Sequence, residues 1–567
     1  MTMTVVADQT FAPPRPGSWF LDPTHWTRPV TRFQAEIFPD AFRRGFGESL
    51  GRYGSLLEYL DASFVNGFPY YCARPVGAPT DAVGHPPKDV WDELARSHPE
   101  ILRRLETSAS VFDRKLWRED LERWDRQVKP AAIQGHLELL AVDPAMLGTT
   151  ELLGYLDRCR GNQIRSAYLH HLFNVPALLP VGDFLVHAHE WTGRSPAELL
   201  GLLQGANPDP LGADEELEEL VATLRRDPAA RELLSTPGDP AEIITTLRSS
   251  PGETGACATA YIDRVAYRPV NGEDVGEPSV YDLPELLVGA IRTAVEAAGS
   301  SGIADEVETR TGEVRADVPA EYRPAFDDLL GEARTIYRLR DERGTFADLW
   351  AIGITRRAIL AAGRRLAATG RVAEPAHLVE ADYAELRQLV ASGEGPSAGE
   401  LAARAQYRME ACYADAPPFL GAEPAPPLPA DWLPPAAARL ERAIGAVVRE
   451  IFAAPEPQSE EGRVRGLGVS PGVYQGTARV IWSTEEFGRI EQGDVLVTNS
   501  TTTAFNIVLP LLGAIVTDRG GLLSHAAIVA REYGLPAVVG CTDATSVIPE
   551  GARVSVDGSL GEAEVLA

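Results

Sequence analysis

The 567-residue chain is poor in cysteine, has no excess of positive charge and contains no long apolar run. Its five cysteines, Cys72, Cys159, Cys257, Cys412 and Cys541, are scattered, odd in number and never spaced CxxC. That pattern excludes a zinc ribbon and a disulfide framework, and it points to reduced thiols in the cytoplasm. The formal charge of −28, from 53 Lys and Arg against 81 Asp and Glu, argues against nucleic acid, whose phosphates call for a basic surface. No stretch reaches eighteen consecutive apolar residues, so no membrane span is expected. The opening MTMTVVADQTFAPPRPGS has neither a basic start nor an apolar centre, so it does not read as a secretory signal. There is no P-loop (GxxxxGKS/T), no GxGxxG fingerprint and no repeat at a solenoid period.

What is present changes character near residue 460. Before it the periodicity is mostly helical: Gln34 to Phe64, Trp91 to Gln134 (two helices broken near Ser108), Thr149 to Gly193, a long pair over Phe326 to Gly370, and Arg439 to Phe452. YYCARPVGAPTDAVGHPPKDV and the proline-rich Ala414 to Pro435 read as loops, and residues 300–318 as a polar exposed excursion. Residues 453–463, rich in Pro, Glu and Ser, read as a flexible linker, whose eleven residues can span roughly 35 Å. After it the period is two: GTARVIW, DVLVTN, LGAIVTD, PAVVG, ARVSVD and EAEVL are short strands. The expected architecture is a large, mainly α-helical domain (1–452), the linker, and a small α/β domain (464–567).

Within the small domain, AIVTDRGGLLSHAAIVAREYGLPAVVG (514–540) carries the most chemical information. Ile515 and Val516 belong to a buried strand. Thr517 to Gly521 form a turn with two glycines, Ser524 is a good N-cap, and Gly534 with Pro536 closes the helix that His525 opens. Free N–H groups and the helix dipole favour a phosphate at such a place by about 0.3–1 kcal/mol. A histidine there is placed to accept a phosphoryl group, with Arg519 and the loop holding its oxygens. The stretch resembles the phosphohistidine swivelling domain of phosphoenolpyruvate synthase, pyruvate phosphate dikinase and rifampicin phosphotransferase. Every position of that signature is filled, by Thr517, Arg519, Gly520, Gly521, Ser524, His525, Ala526, Ala527, Ala530, Arg531, Gly534, Pro536 and Gly540.

The helical part is similar, more diffusely, to the substrate domain of rifampicin phosphotransferase. It is anchored by LLQGANPDPLGADEELEELV, YIDRVAYRPVNGEDVGEPSVYDLPELL and YRLRDERGTFADLWAIGITRRAILAAGRRL. Where the family reads Gly-His-Arg, this chain has Ala266-Tyr267-Arg268, so the family histidine is Tyr267, while Arg268, Glu273 and Asp274 remain. The resemblance implies a carrier: His525 takes the β-phosphoryl of ATP, and the small domain turns on its linker to present it to a hydroxyl of a small molecule. No segment for an ATP-grasp domain or a phosphoenolpyruvate-binding barrel is legible. ATP and Mg²⁺ are therefore expected on a separate ATP-grasp subunit, with no metal cage in this chain.

At the acceptor site the hydroxyl needs a base and the phosphoryl needs cations. Candidate bases are His170, His171, His187, His189 and Glu190, with His187 and Glu190 on one helical face. Candidate clamps are Arg338, Arg340 and Arg343, with Arg268. Thr501 to Thr503 are candidates to line the His525 site. His25, His85, His98, His136 and His377 read as structural. The function expected is phosphoryl transfer, with phosphate elimination to an alkene as a variant. The other class is a ligand-binding or regulatory protein carrying a signalling phosphohistidine. A complete phosphoenolpyruvate synthase is disfavoured. The chain is expected to bind neither nucleic acid nor membrane.

Overall fold

The computed structural model describes residues 10–566 except 24, 27, 208, 210–211, 271, 297–302, 424, 453–461, 483, 502–504 and 506–507. The chain folds into two compact units: Met1–Leu178 with Gly272–Glu277 and Phe346–Arg442, and Leu179–Asn271 with Pro278–Thr345 and Ala443–Ala567. The expected linker lies largely in 453–461, outside the described residues.

The first unit is helical around a small antiparallel sheet. The helix Arg32–Tyr53 starts at Thr31, whose side chain accepts from the Gln34 N–H, and stops at Gly54 in the left-handed region. The helical reading of Gln34 to Phe64 therefore fails in its last part, and the loop reading of YYCARP fails with it. Strands β2 (Leu57–Val65) and β3 (Phe68–Pro75) form a hairpin. Its Asn66-Gly67 turn, with φ of 53° and 81°, is the two-residue type that matches strand twist. The strands β1 (Ser18–Leu21) and β4 (Phe419–Gly421) complete the order β2-β3-β1-β4. Residues 88–140 form several helices, with breaks at His98 and at Lys115 in the left-handed region. Ser108 sits inside the helix Pro99–Arg114, so the expected break there is displaced.

In this unit an aromatic cluster of Trp26, Phe38, Phe42 and Tyr71 is buried. His171 lies edge-on to it, with ring centroids 5.4 Å from Phe38 and 4.6 Å from Phe42. The stretch Thr149–Thr192 contains an 18-residue window apolar enough to cross a membrane by length and composition, and 78% of that window is buried. Core helices pass the same test.

The second unit combines helices of 179–345 with the C-terminal α/β sheet. Residues 303–317, expected as an exposed excursion, form a helix, Ile303–Asp317. The strands are β5 (Arg463–Arg465), β6 (Leu467–Ser470), β7 (Val473–Ile481), β8 (Asp494–Thr498), β9 (Leu512–Thr517), β10 (Ala537–Val539), β11 (Arg553–Asp557) and β12 (Glu562–Val565). They run in the order β5-β12-β11-β7-β8-β9-β10-β6. The pairs β7–β8, β8–β9 and β9–β10 are parallel. Every residue of β8 is buried, which is why its centre, Val495-Leu496-Val497, is apolar without alternation. Val480, Val497, Val516, Val538 and Val556 share one core. Its parallel strands place the β9 turn and the helix after it at one end of the sheet.

Candidate functional site

The sequence Thr517 to His525 continues directly from β9 and leads into the helix His525–Tyr533. Thr517 is fully buried, and its hydroxyl donates to the Arg519 carbonyl at 2.7 Å. The Arg519 N–H donates to Asn499 O at 2.8 Å. Asp518 is turned inward and accepts from the Thr545 N–H at 2.9 Å. Gly520 has φ of 125°, where an L side chain is strained. A Cβ at Gly521 would lie 2.1 Å from the Glu450 carbonyl oxygen. The two glycines thus have separate reasons: one for conformation, the other for close approach of backbone. Ser524 caps the helix, its hydroxyl accepting from the Ala527 N–H, and Gly534 ends it in the left-handed region.

His525 is half-buried at the first helical position. Its Nδ1 is 3.0 Å from Thr501 Oγ1. Its Nε2 is buried and, among the described residues, has no hydrogen-bond partner. The tautomer with Nδ1–H donating to Thr501 leaves the lone pair on Nε2. Desolvation, with a further contribution from the positive charge of Arg340, pulls the imidazole from its ordinary 6.5 down to about 3. The ring is therefore neutral at physiological pH, the state in which it is a nucleophile. Thr502 and Thr503 lie outside the described residues.

Arg340 reaches this site from the helix Leu339–Arg343. One of its amino groups donates to the Leu523 carbonyl, while Nη1 is buried and has no hydrogen-bond partner among the described residues. The same docking face has Gln204 donating to the Arg531 carbonyl and the Gly205 N–H donating to Glu532 at 2.8 Å. Burial pushes Glu532 up to about 7. Arg531, part of the sequence signature, is a brace: its guanidinium donates to Leu522 O at 2.9 Å and to Val469 O at 3.3 Å.

The other candidates are dispersed. Arg338 is paired with Glu342 at 2.8 Å, and Arg343 is buried. Arg268 is buried, donates to Gly212 O at 3.2 Å and is pulled down to about 10 by desolvation. Tyr267, at the family histidine's place, stacks on Tyr281 with centroids 5.2 Å apart. His187 Nδ1 contacts Asp183 O at 2.9 Å. His189 contacts Arg194 O at 2.8 Å beside the helix end, and Glu190 is exposed. In the first unit His171 Nδ1 contacts Ala167 O at 2.7 Å within the aromatic packing. His170 Nδ1 lies 2.9 Å from the Asp348 carboxylate, and Glu273 joins them. This last convergence escapes sequence reasoning, because spacing along the chain gives no signal for it.

Comparison with known proteins agrees with the resemblance drawn from the motifs. Residues 490–561 match the family model described as PEP-utilising enzyme, mobile domain, and residues 182–342 match the rifampicin phosphotransferase fourth domain. A probable phosphoenolpyruvate synthase of Archaeoglobus fulgidus is 45% identical over 124 residues, 21% of this chain and 16% of that protein. A rifampicin phosphotransferase of Bacillus cereus is 48% identical over 101 residues, 18% of this chain and 12% of that protein. One from Streptomyces sviceus is 29% identical over 395 residues, 66% of this chain and 42% of that protein. The chain thus aligns with less than half the length of each of these relatives. The mainly helical body with a C-terminal α/β mobile domain is shown by the fold and the first match together.

Proposed function

We propose that this chain carries a phosphoryl group on His525 from ATP to the hydroxyl of a small molecule. The observation that carries the reading is the state of one ring: His525 is neutral, its Nδ1 is engaged by Thr501, and its buried Nε2, near Arg340, has no hydrogen-bond partner among the described residues. In the first step the Nε2 lone pair forms a P–N bond to the β-phosphorus as its P–O bond to the α-phosphate breaks and AMP leaves; water then cleaves the β–γ bond, so that phosphate departs and the β-phosphoryl stays on the ring. In the second the acceptor oxygen forms a P–O bond, the P–N bond breaks and the hydroxyl proton passes to a base. The helix N-terminus and Arg340 favour the added negative charge. Two covalent half-reactions let each be carried out in its own preorganised surroundings.

Residues 453–463 are proposed as the tether on which the carrier domain moves. The donor, ATP with Mg²⁺, is proposed to sit on a separate ATP-grasp polypeptide, since no nucleotide-phosphate motif is legible in these 567 residues. The similarity of residues 182–342 to a rifampicin phosphotransferase domain supports a small organic acceptor.

The test is labelling with ATP carrying ³²P at the β position, in the presence of an ATP-grasp partner. Acid-labile label on the wild type and none on His525→Ala is expected. Label on the purified chain with no partner would overturn the separate donor. Label that persists on His525→Ala would overturn the carrier. The mass of the small-molecule product then separates a phosphoester from an alkene left by phosphate elimination.

A further inference from the structure

A second constellation lies in the first unit, on three stretches far apart in sequence. His170 is on the helix Thr149–Leu172. Asp348 ends the π-helical turn Gly344–Asp348 and caps the helix Leu349–Ala368. Glu273 is on the loop segment Gly272–Glu277. One ligand atom from each lies within 4.8 Å of the other two, and among the described residues this is the one such His/Cys/Asp/Glu group. The group is sheltered: the Asp348 side chain is 4% exposed and that of His170 13%.

We propose that His170, Glu273 and Asp348 form a binding site for one divalent first-row cation of the Mn²⁺ or Zn²⁺ type. Two carboxylates held this close repel each other, and a cation between them relieves the repulsion. His170 Nδ1 is 2.9 Å from Asp348 Oδ1 and also 2.9 Å from Oδ2. Two donors bound at right angles to one ion lie about 3 Å apart, given bonds of about 2.1 Å. An imidazole in the set favours a borderline transition ion over Mg²⁺ or Ca²⁺, which prefer oxygen alone. Three protein donors leave coordination positions open, the pattern of a site that takes an exogenous oxygen ligand rather than a purely structural one. The Asp348 carboxylate is itself oriented, accepting from the Leu349 N–H at 3.1 Å. The ring of His170 is stacked on His171 with centroids 4.7 Å apart, which fixes its plane. This site stands independently of phosphoryl transfer by His525.

The experiment is titration of the EDTA-treated full-length chain with Mn²⁺, read by electron paramagnetic resonance, and with Zn²⁺, read by calorimetry. One equivalent bound per chain is expected, with nitrogen hyperfine coupling from a single imidazole. Affinity should fall at least about tenfold in Glu273→Gln and in His170→Ala, and be unchanged in His525→Ala. Glu273 is half-buried and Gln is close to it in shape, so Glu273→Gln with unchanged circular dichroism reports on binding rather than folding. Absence of stoichiometric binding overturns the proposal, as does binding that Glu273→Gln and His170→Ala leave unaltered.

Discussion

Two histidines of this molecule sit in opposite fields. His525 lies at the positive end of a helix with Arg340 beside it, so positive charge on its ring is opposed. His170 lies against one buried carboxylate with a second close by. On the two proposals made above, the same side chain serves as a neutral nucleophile in one place and as a member of a cation-holding set in the other. For His525 loss of hydration is the larger influence, and the sign of its neighbours adds to it.

The sharpest way to break this contrast is to remove the nucleophile. His525→Ala should abolish acid-labile phosphorylation and leave circular dichroism unchanged. A variant that still turns over would erase the distinction between the two rings. Next in size is Arg340→Ala, which should slow loading or discharge of His525 by about 10²–10³-fold in single-turnover labelling. It should also move the His525 titration upward, as followed by NMR, because one of the two causes of its depression is gone. Gly521→Ala puts a Cβ against the Glu450 carbonyl and should destabilise the native chain by about 1–3 kcal/mol in denaturant melts. A further effect is one of pH. Between about 6.5 and 3 the unfolded chain binds a proton at this imidazole that the folded chain does not, so stability should fall as pH drops through that window and be flat above it. Comparing melts of the wild type with His525→Ala from pH 7 to pH 4 isolates that contribution, which the variant should lack.

The turn before His525 is legible in the sequence because it is made by consecutive backbone. Glycines, cap and histidine then succeed one another at fixed offsets in the chain. The strands around it are legible for a similar local reason, as at Val495-Leu496-Val497, where burial on both faces of β8 favours an apolar run. The first unit shows where such reading stops. The apolar residues from Phe46 to Leu60 fit helical spacing, yet Gly54 ends the helix and Asn66-Gly67 folds residues 57–75 into a hairpin. The turn signal is there, but the helical periodicity runs past it. Residues 303–317 carry too weak an apolar stripe to announce a helix, though they form one. Among Arg338, Arg340 and Arg343, composition gives no ground for choosing. The fold pairs Arg338 with Glu342 and sends Arg340 to Leu523. The grouping of His170, Glu273 and Asp348 is made wholly by tertiary packing, and no spacing rule encodes it.

The contact between Thr501 and Nδ1 of His525 fixes the regiochemistry of any adduct. With that nitrogen occupied, the phosphoramidate must form on Nε2, the ring atom farther from the main chain. Only one of the two possible phosphohistidine isomers should therefore accumulate, and ¹⁵N–³¹P coupling in ring-labelled protein identifies which.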